Sequence, residues 1–221
     1  MMTRIFLVIS VILNLLLGLF VIRSQIPPQK LYTVSEIIDG DSIVLEENKQ
    51  SIRLMNINAP EKGLCGYHQA KAELTSLLQG KQVKIVGTIN DSHNRFLALV
   101  YLPDGTLVNE LMLNSGWARY TSNASIESAR LQKAGAAAKA TKIGIFGPLC
   151  FQSVNPANPK CSIKGNVKDG KKTYFFDGCG NYSNVQLALD EGDRWFCSEA
   201  EALQAGFTKS VNCHEKLFDQ F

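Results

Sequence analysis

At 221 residues, 45% hydrophobic and 19% charged, the chain has an ordinary globular composition with room for one well-packed core and a smaller appendage. The formal net charge of +3 excludes a generally polycationic protein, because Arg4, Arg23 and Lys30, in an N-terminal stretch without acids, account for the whole excess. Any affinity for a polyanion must therefore come from local clustering around a cleft.

In chain order, the first element is the apolar run IFLVISVILNLLLGLFVI from Ile5 to Ile22, flanked by Arg4 and Arg23. It reaches the lower limit of a membrane-spanning helix and exceeds the usual signal-peptide core. No Ala-x-Ala-like cleavage site follows it. Residues 1–28 are expected to be an uncleaved signal anchor, with a cleaved signal peptide as the alternative. The body is expected outside the cytoplasm, either anchored or secreted. Basic residues at both ends leave orientation open. Six cysteines, Cys65, Cys150, Cys161, Cys179, Cys197 and Cys213, contain no Cys-x-x-Cys pair, so they read as disulfides of an oxidising compartment rather than as a zinc site. Their connectivity is open at this point.

From Leu31 to Ile57 the pattern is strand-like: LYTVSEII, SIVLEE and, after the polar turn Asn48-Lys49-Gln50, SIRLMNI, together a three-stranded meander. Tyr67 to Leu78 carries Ala70, Leu74, Leu77 and Leu78 at helical spacing and ends at Gly80. QVKIV and FLALVYL follow as a strand pair, then the turn Pro103-Asp104-Gly105. Leu107–Leu113 and Ile126–Lys142 read as helices. This order predicts an α+β, mainly β fold: a five-stranded OB-type barrel with packed helices over residues 29–147. Residues 148–160, rich in proline and asparagine, read as a linker. Residues 161–221 read as a small cysteine-rich domain stapled by its cysteines, with a short helix starting at Ser198 and closed near Gly206. Lys164, Lys168, Lys171 and Lys172 form a basic run in it, which reads as a solvated face or as a contact to nucleic acid or an anionic envelope.

Three stretches place carboxylates and arginines as phosphodiester hydrolysis would need them: Asp39-Gly40-Asp41-Ser42, RLMNINAPE from Arg53 to Glu61, and DSHNR from Asp91 to Arg95. That reaction calls for a cation against the anion, a base to activate water, and positive groups for charge developing on the phosphoryl oxygens. Each stretch alone also fits solvated turns and surface ion pairs. His68 and His93 are assigned no role.

Taken in order, DGDS, RLMNINAPE, GYHQA, DSHNRFLA and LVNELML resemble the staphylococcal nuclease (thermonuclease) family over roughly Leu31 to Gly147. The resemblance implies a calcium-dependent nuclease acting on DNA and RNA, single strands preferred, with low sequence specificity. It implies metal ligation by Asp41, by Asn58 at a position that is usually a carboxylate, and by the Ala59 carbonyl. Glu61 matches the general base, Arg53 and Arg95 the guanidiniums facing the phosphate, and Asp39 and Asp91 supporting acids. Asn58 is the departure: an amide oxygen can ligate a hard cation but removes charge from the site. The tail resembles a small domain appended to bacterial thermonuclease-like proteins, sometimes called a sunset domain, with Phe175 and Asp177 where a histidine and a proline are usual.

A monomer is expected. The disulfides are expected to partition as Cys65 with Cys150, with the other four pairing inside the tail. The alternative function is a catalytically weakened OB-fold module that binds nucleic acid at the cell envelope. In a third, the tail is the envelope-binding element and the barrel its spacer.

Overall fold

The computed structural model describes residues 12, 14, 30–90, 95–122 and 124–213. The expected anchor segment, apart from Ile12 and Asn14, and the expected acid Asp91 lie outside the described residues. Among the described residues no helix is long and apolar enough to cross a membrane.

Alternating apolar positions drive the opening strands β1 (Tyr32–Ile37), β2 (Ser42–Leu45) and β3 (Ser51–Leu54) into an antiparallel meander, burying Val34, Ile37, Ile43, Leu45, Ile52 and Leu54 on one face. The run SIRLMNI, expected as one strand, is broken. Asn56 adopts a left-handed φ of 63° and is fully buried. Its amide donates to the Thr121 carbonyl at 3.1 Å and its Oδ1 accepts from the Ser125 hydroxyl at 2.7 Å. Asparagine tolerates that backbone region better than most residues. The chain then resumes as β4 (Ile57–Asn58), paired with β7 (Arg119–Tyr120) rather than with the barrel.

Helix α1 (Tyr67–Leu78) spans the expected residues and buries Ala70, Leu74 and Leu78. Beyond it, β5 (Gln82–Asn90) pairs with β6 (Phe96–Tyr101) and runs longer than QVKIV. Gly87, at φ 68°, lies inside the register shift between Val86 and Ile89, so the strand bulges and continues past the expected end. β6 lies parallel to β3, β5 antiparallel to β1, and the order β1-β2-β3-β6-β5 closes into an OB-type barrel.

Helices α2 (Val108–Asn114) and α3 (Ser128–Thr141) pack on it, within two residues of their expected bounds. Asn109 of α2 is fully buried, taking the Val100 N–H at 2.9 Å and donating to the Met55 and Ala98 carbonyls at 2.8 and 3.3 Å. It locks helix to barrel. Asn109→Leu leaves the buried Val100 N–H and the Met55 carbonyl unmet, and should lower the unfolding free energy by about 3 kcal/mol in urea titrations.

Residues 163–209 hold a sheet in the order β12-β9-β10-β13, from β9 (Ile163–Lys168), β10 (Lys171–Phe175), β12 (Arg194–Phe196) and β13 (Thr208–Lys209), around a core of Tyr174, Phe196, Ala202 and Phe207. The short helix α4 (Glu199–Gln204) starts as expected. The Ser198 hydroxyl accepts from the Glu201 N–H while the Glu201 carboxylate accepts from the Cys197 N–H. Inside the expected linker, β8 (Phe151–Gln152) pairs with β11 (Leu187–Ala188). The disulfides are Cys65–Cys150, Cys161–Cys197 and Cys179–Cys213, which follows the expected partition.

Lys164 departs from its reading as a surface charge. It is only 2% exposed, donates to the Tyr182 and Val185 carbonyls at 3.0 and 2.7 Å, and lies 4.2 Å from the Tyr182 ring centroid. Burial lowers its pKa.

Candidate active site

The register of the meander brings the first two motifs together. Ser42 pairs with Arg53, and the Leu54 N–H donates to the Asp41 carbonyl at 2.8 Å. The Asp39 carboxylate accepts from the Asp41 N–H at 3.0 Å, an Asx turn that aims Asp41 inward. Glycine is required inside that turn: a Cβ on Gly40 would sit 2.6 Å from the Cβ atoms of both Ala59 and Ala70. The DGDS turn, the Ala59 loop and helix α1 are therefore pressed into contact.

Asp41 is 2% exposed and all its oxygen contacts are inward. Oδ1 accepts from Arg53 Nη1 at 2.7 Å and from the Ser42 hydroxyl at 2.9 Å, and Oδ2 accepts from the Ala59 N–H at 2.8 Å. The second Arg53 nitrogen, Nη2, donates to Asn58 Oδ1 at 2.7 Å. Asp41, Arg53, Asn58 and Ala59 thus form one constellation, with Arg53 bridging the carboxylate and the amide. Buried Pro60 follows, then the exposed Glu61, whose carboxylate has no hydrogen-bond or ion-pair partner among the described residues. Arg95 is half-buried and immediately precedes β6, two residues before Leu97, the register partner of Arg53. The neighbouring His93 and Asp91 are outside the described residues.

Burial pushes the Asp41 carboxyl up to about 7, against the opposing pull of Arg53, the Ala59 N–H and the Ser42 hydroxyl. From its ordinary pKa of 3.8 up to about 7 the folded chain holds a proton that the unfolded chain has released. Stability should therefore fall as pH rises through that window and level off above it. Urea midpoints measured across the window in chelator should show this slope, and Asp41→Asn should flatten it.

The donors at this end are all oxygens, which suits a hard cation such as calcium. Asp41, the Asn58 amide and the Ala59 carbonyl are the groups that would hold it. Among the described residues, however, no group of three or more His, Cys, Asp or Glu side chains gathers as a metal cluster. The low charge of the donor set follows from asparagine at position 58.

Several residues were missed from sequence. Arg119, the cross-strand partner of Asn58, donates through Nε and Nη2 to Asp190 at 2.6 and 2.9 Å and stacks 4.9 Å from the Phe146 ring. The loop after Glu61 is tied down by the expected Cys65–Cys150 bond and, beyond that expectation, by the Cys65 N–H facing the Leu189 carbonyl at 3.4 Å.

Residues 51–147, which include barrel strands β3, β5 and β6, match the family model described as staphylococcal nuclease homologue. The match includes Arg53, Asn58, Glu61 and Arg95; β1, β2 and the DGDS turn precede it, and residues 148–221 follow it. Among curated proteins, an uncharacterized endonuclease of Escherichia coli O157:H7 is 36% identical over 85 residues, covering 38% of this chain and 56% of the relative. One from Escherichia coli gives the same figures. A micrococcal nuclease of Shigella flexneri is 33% identical over 95 residues, covering 38% of this chain and 55% of the relative. The chain spans little more than half the length of the curated relatives it matches.

Proposed function

We propose that this protein is a calcium-dependent nuclease that hydrolyses phosphodiester bonds of DNA and RNA with little sequence preference. The observation that carries this is the convergence of Asp41, Arg53, Asn58 and Ala59 beside the exposed Glu61 on a staphylococcal nuclease-like barrel. Calcium held by Asp41, Asn58 and the Ala59 carbonyl would neutralise the phosphate. Glu61, open to solvent, takes the proton from the attacking water. Arg53 and Arg95 offer planar guanidinium donors to the phosphoryl oxygens, whose charge grows in the transition state. Arg53 spends one nitrogen on Asp41 and one on Asn58, which orients its plane and leaves donors for substrate. The new bond joins the water oxygen to phosphorus; by family resemblance the 5′-oxygen leaves and the product is 3′-phosphorylated. Single strands fit this reading best, since their phosphates and base faces are both accessible.

The body is proposed to work outside the cytoplasm as a monomer, held by the apolar segment 5–22 or released from it. The three disulfides support an oxidising location. A second reading, a weakened nucleic-acid-binding module, is favoured by one observation: Arg53 already occupies Asn58 Oδ1 and faces Asp41, where a metal would need both.

One assay separates the two. The purified protein is incubated with single-stranded DNA over a calcium series and with chelator, beside Glu61→Gln and Asn58→Asp. Hydrolysis that needs calcium and drops about 100-fold or more in Glu61→Gln supports the nuclease. Asn58→Asp should lower the calcium midpoint by roughly tenfold, because affinity follows the number of charged ligands. Retardation of DNA without cleavage leaves the binding module.

A further inference from the structure

A cleft of about 620 Å³ is lined by Arg119, α3 and Phe146 together with β8, β9 and the segment 186–193. Its size falls in the range of small-ligand sites. Three of its lysines are exposed and have no hydrogen-bond or ion-pair partner among the described residues: Lys139 in the last turn of α3, Lys142 just past it, and Lys168 at the end of β9. The acids in its lining are already engaged. Asp193 accepts from the Val167 and Ala188 N–H groups at 2.6 and 2.8 Å and from the Asn166 amide at 3.0 Å. Glu191 lies 3.4 Å from Arg119 Nε and is also close enough to Lys139 for the two charges to attract. The cleft therefore presents Lys142 and Lys168 without an acidic partner, and Lys139 with Glu191 nearby, beside the half-buried ring of Phe151. Ammonium groups with aromatic faces are the combination that holds a single-stranded polyanion.

The cleft is also connected to the candidate site. Arg119 in its wall is the register partner of Asn58 across the β4–β7 pair, so the two places share one strand pair. We propose that this cleft is an extension subsite for the nucleic-acid strand, in which Lys139, Lys142 and Lys168 hold phosphates of nucleotides beyond the scissile bond. The proposal rests on the nuclease function proposed above and names where that substrate continues. It gives the segment after residue 147 a part in substrate binding, since Lys168, Phe151 and the 186–193 wall all come from it.

The test uses the full chain in chelator, so that DNA is bound and not cut. Anisotropy is measured with labelled single strands of about three and about twelve nucleotides across a salt series. A triple variant, Lys139→Gln, Lys142→Gln and Lys168→Gln, is compared with wild type and with a control triple of exposed lysines elsewhere, Lys49→Gln, Lys81→Gln and Lys160→Gln. Each phosphate contact on a single strand adds about 0.7 to the salt slope, so the cleft variant should lose about 2 from its slope on the long strand. Between about 50 and 200 mM salt that corresponds to roughly a twentyfold difference in how far affinity falls. Binding of the short strand should be unchanged, as should its calcium-dependent hydrolysis.

An unchanged slope, or an equal loss in the control triple, overturns the subsite. Continued hydrolysis of the short strand then shows that the nuclease assignment stands without it. Displacement of the long strand by polyglutamate at lower concentration than by unlabelled DNA also overturns the subsite, in favour of an acidic polypeptide. If wild type hydrolyses neither strand with calcium, the nuclease assignment falls and the subsite falls with it.

Discussion

Replacing Cys65 and Cys150 together with alanine is expected to lower the stability of the folded protein by about 4.5 kcal/mol. The bond joins residues 85 apart, and loop-closure entropy for a loop of that size gives this figure. The effect is larger than that of any single hydrogen bond described above, because the crosslink acts mostly on the unfolded chain. Equilibrium urea unfolding under non-reducing conditions measures it; a loss under 1 kcal/mol would show that the surrounding contacts already constrain the loop. They are not trivial. The Leu189 N–H donates to the Cys150 carbonyl at 2.8 Å, and Cys150 is fully buried, so the disulfide sits against the 187–191 segment as well as the Glu61 loop. Under the proposed function, the same variant should lose turnover by loosening Glu61 relative to Asp41, while its affinity for DNA in chelator changes little.

Asp190→Ala is expected to cost about 3 kcal/mol, at the lower end of the range for breaking a buried ion pair. The Asp190 side chain is 2% exposed and that of Arg119 20%, so the guanidinium left behind is poorly solvated. Glu191 remains near Arg119 Nε and moderates the loss. A double variant, Asp190→Ala with Arg119→Met, should recover part of the stability, because removing both charges also removes the stranded one. Thermal and urea unfolding of the cycle measure the coupling. Additive losses would show that the two side chains act independently despite their bidentate geometry.

What was legible in the sequence was what local periodicity and ordered motifs encode. The alternation from Leu31 onward gave the meander, and the spacing of Ala70, Leu74 and Leu78 gave α1 to the residue. The motif order gave the barrel class. The gathering of Asp41, Arg53, Asn58 and Ala59 was expected from the family pattern, although the role of Arg53 as a bridge between Asp41 and Asn58 was not. Three kinds of feature escaped, for physical reasons. Single residues in unusual backbone regions, Asn56 and Gly87, redirect strands without disturbing the apolar pattern around them. Buried polar groups are invisible to hydropathy: Lys164 looked like its charged neighbours, and Asn109 was one letter of a motif. Arg119 and Asp190, 71 residues apart, carry no local mark of their pairing. Each is satisfied only in the folded molecule.

The bridge made by Arg53 has one further consequence. A side chain that sits between an acid and an amide, at 2.7 Å from each, is an internal counter-ion. Part of the charge that a dication would otherwise offset is met within the chain, although burial still holds the Asp41 carboxyl up to about 7. Many small metal proteins are unfolded until loaded; here the barrel can be finished first. Under the proposed function, a cation arriving afterwards would meet a completed barrel and compete with one guanidinium for Asp41 and Asn58.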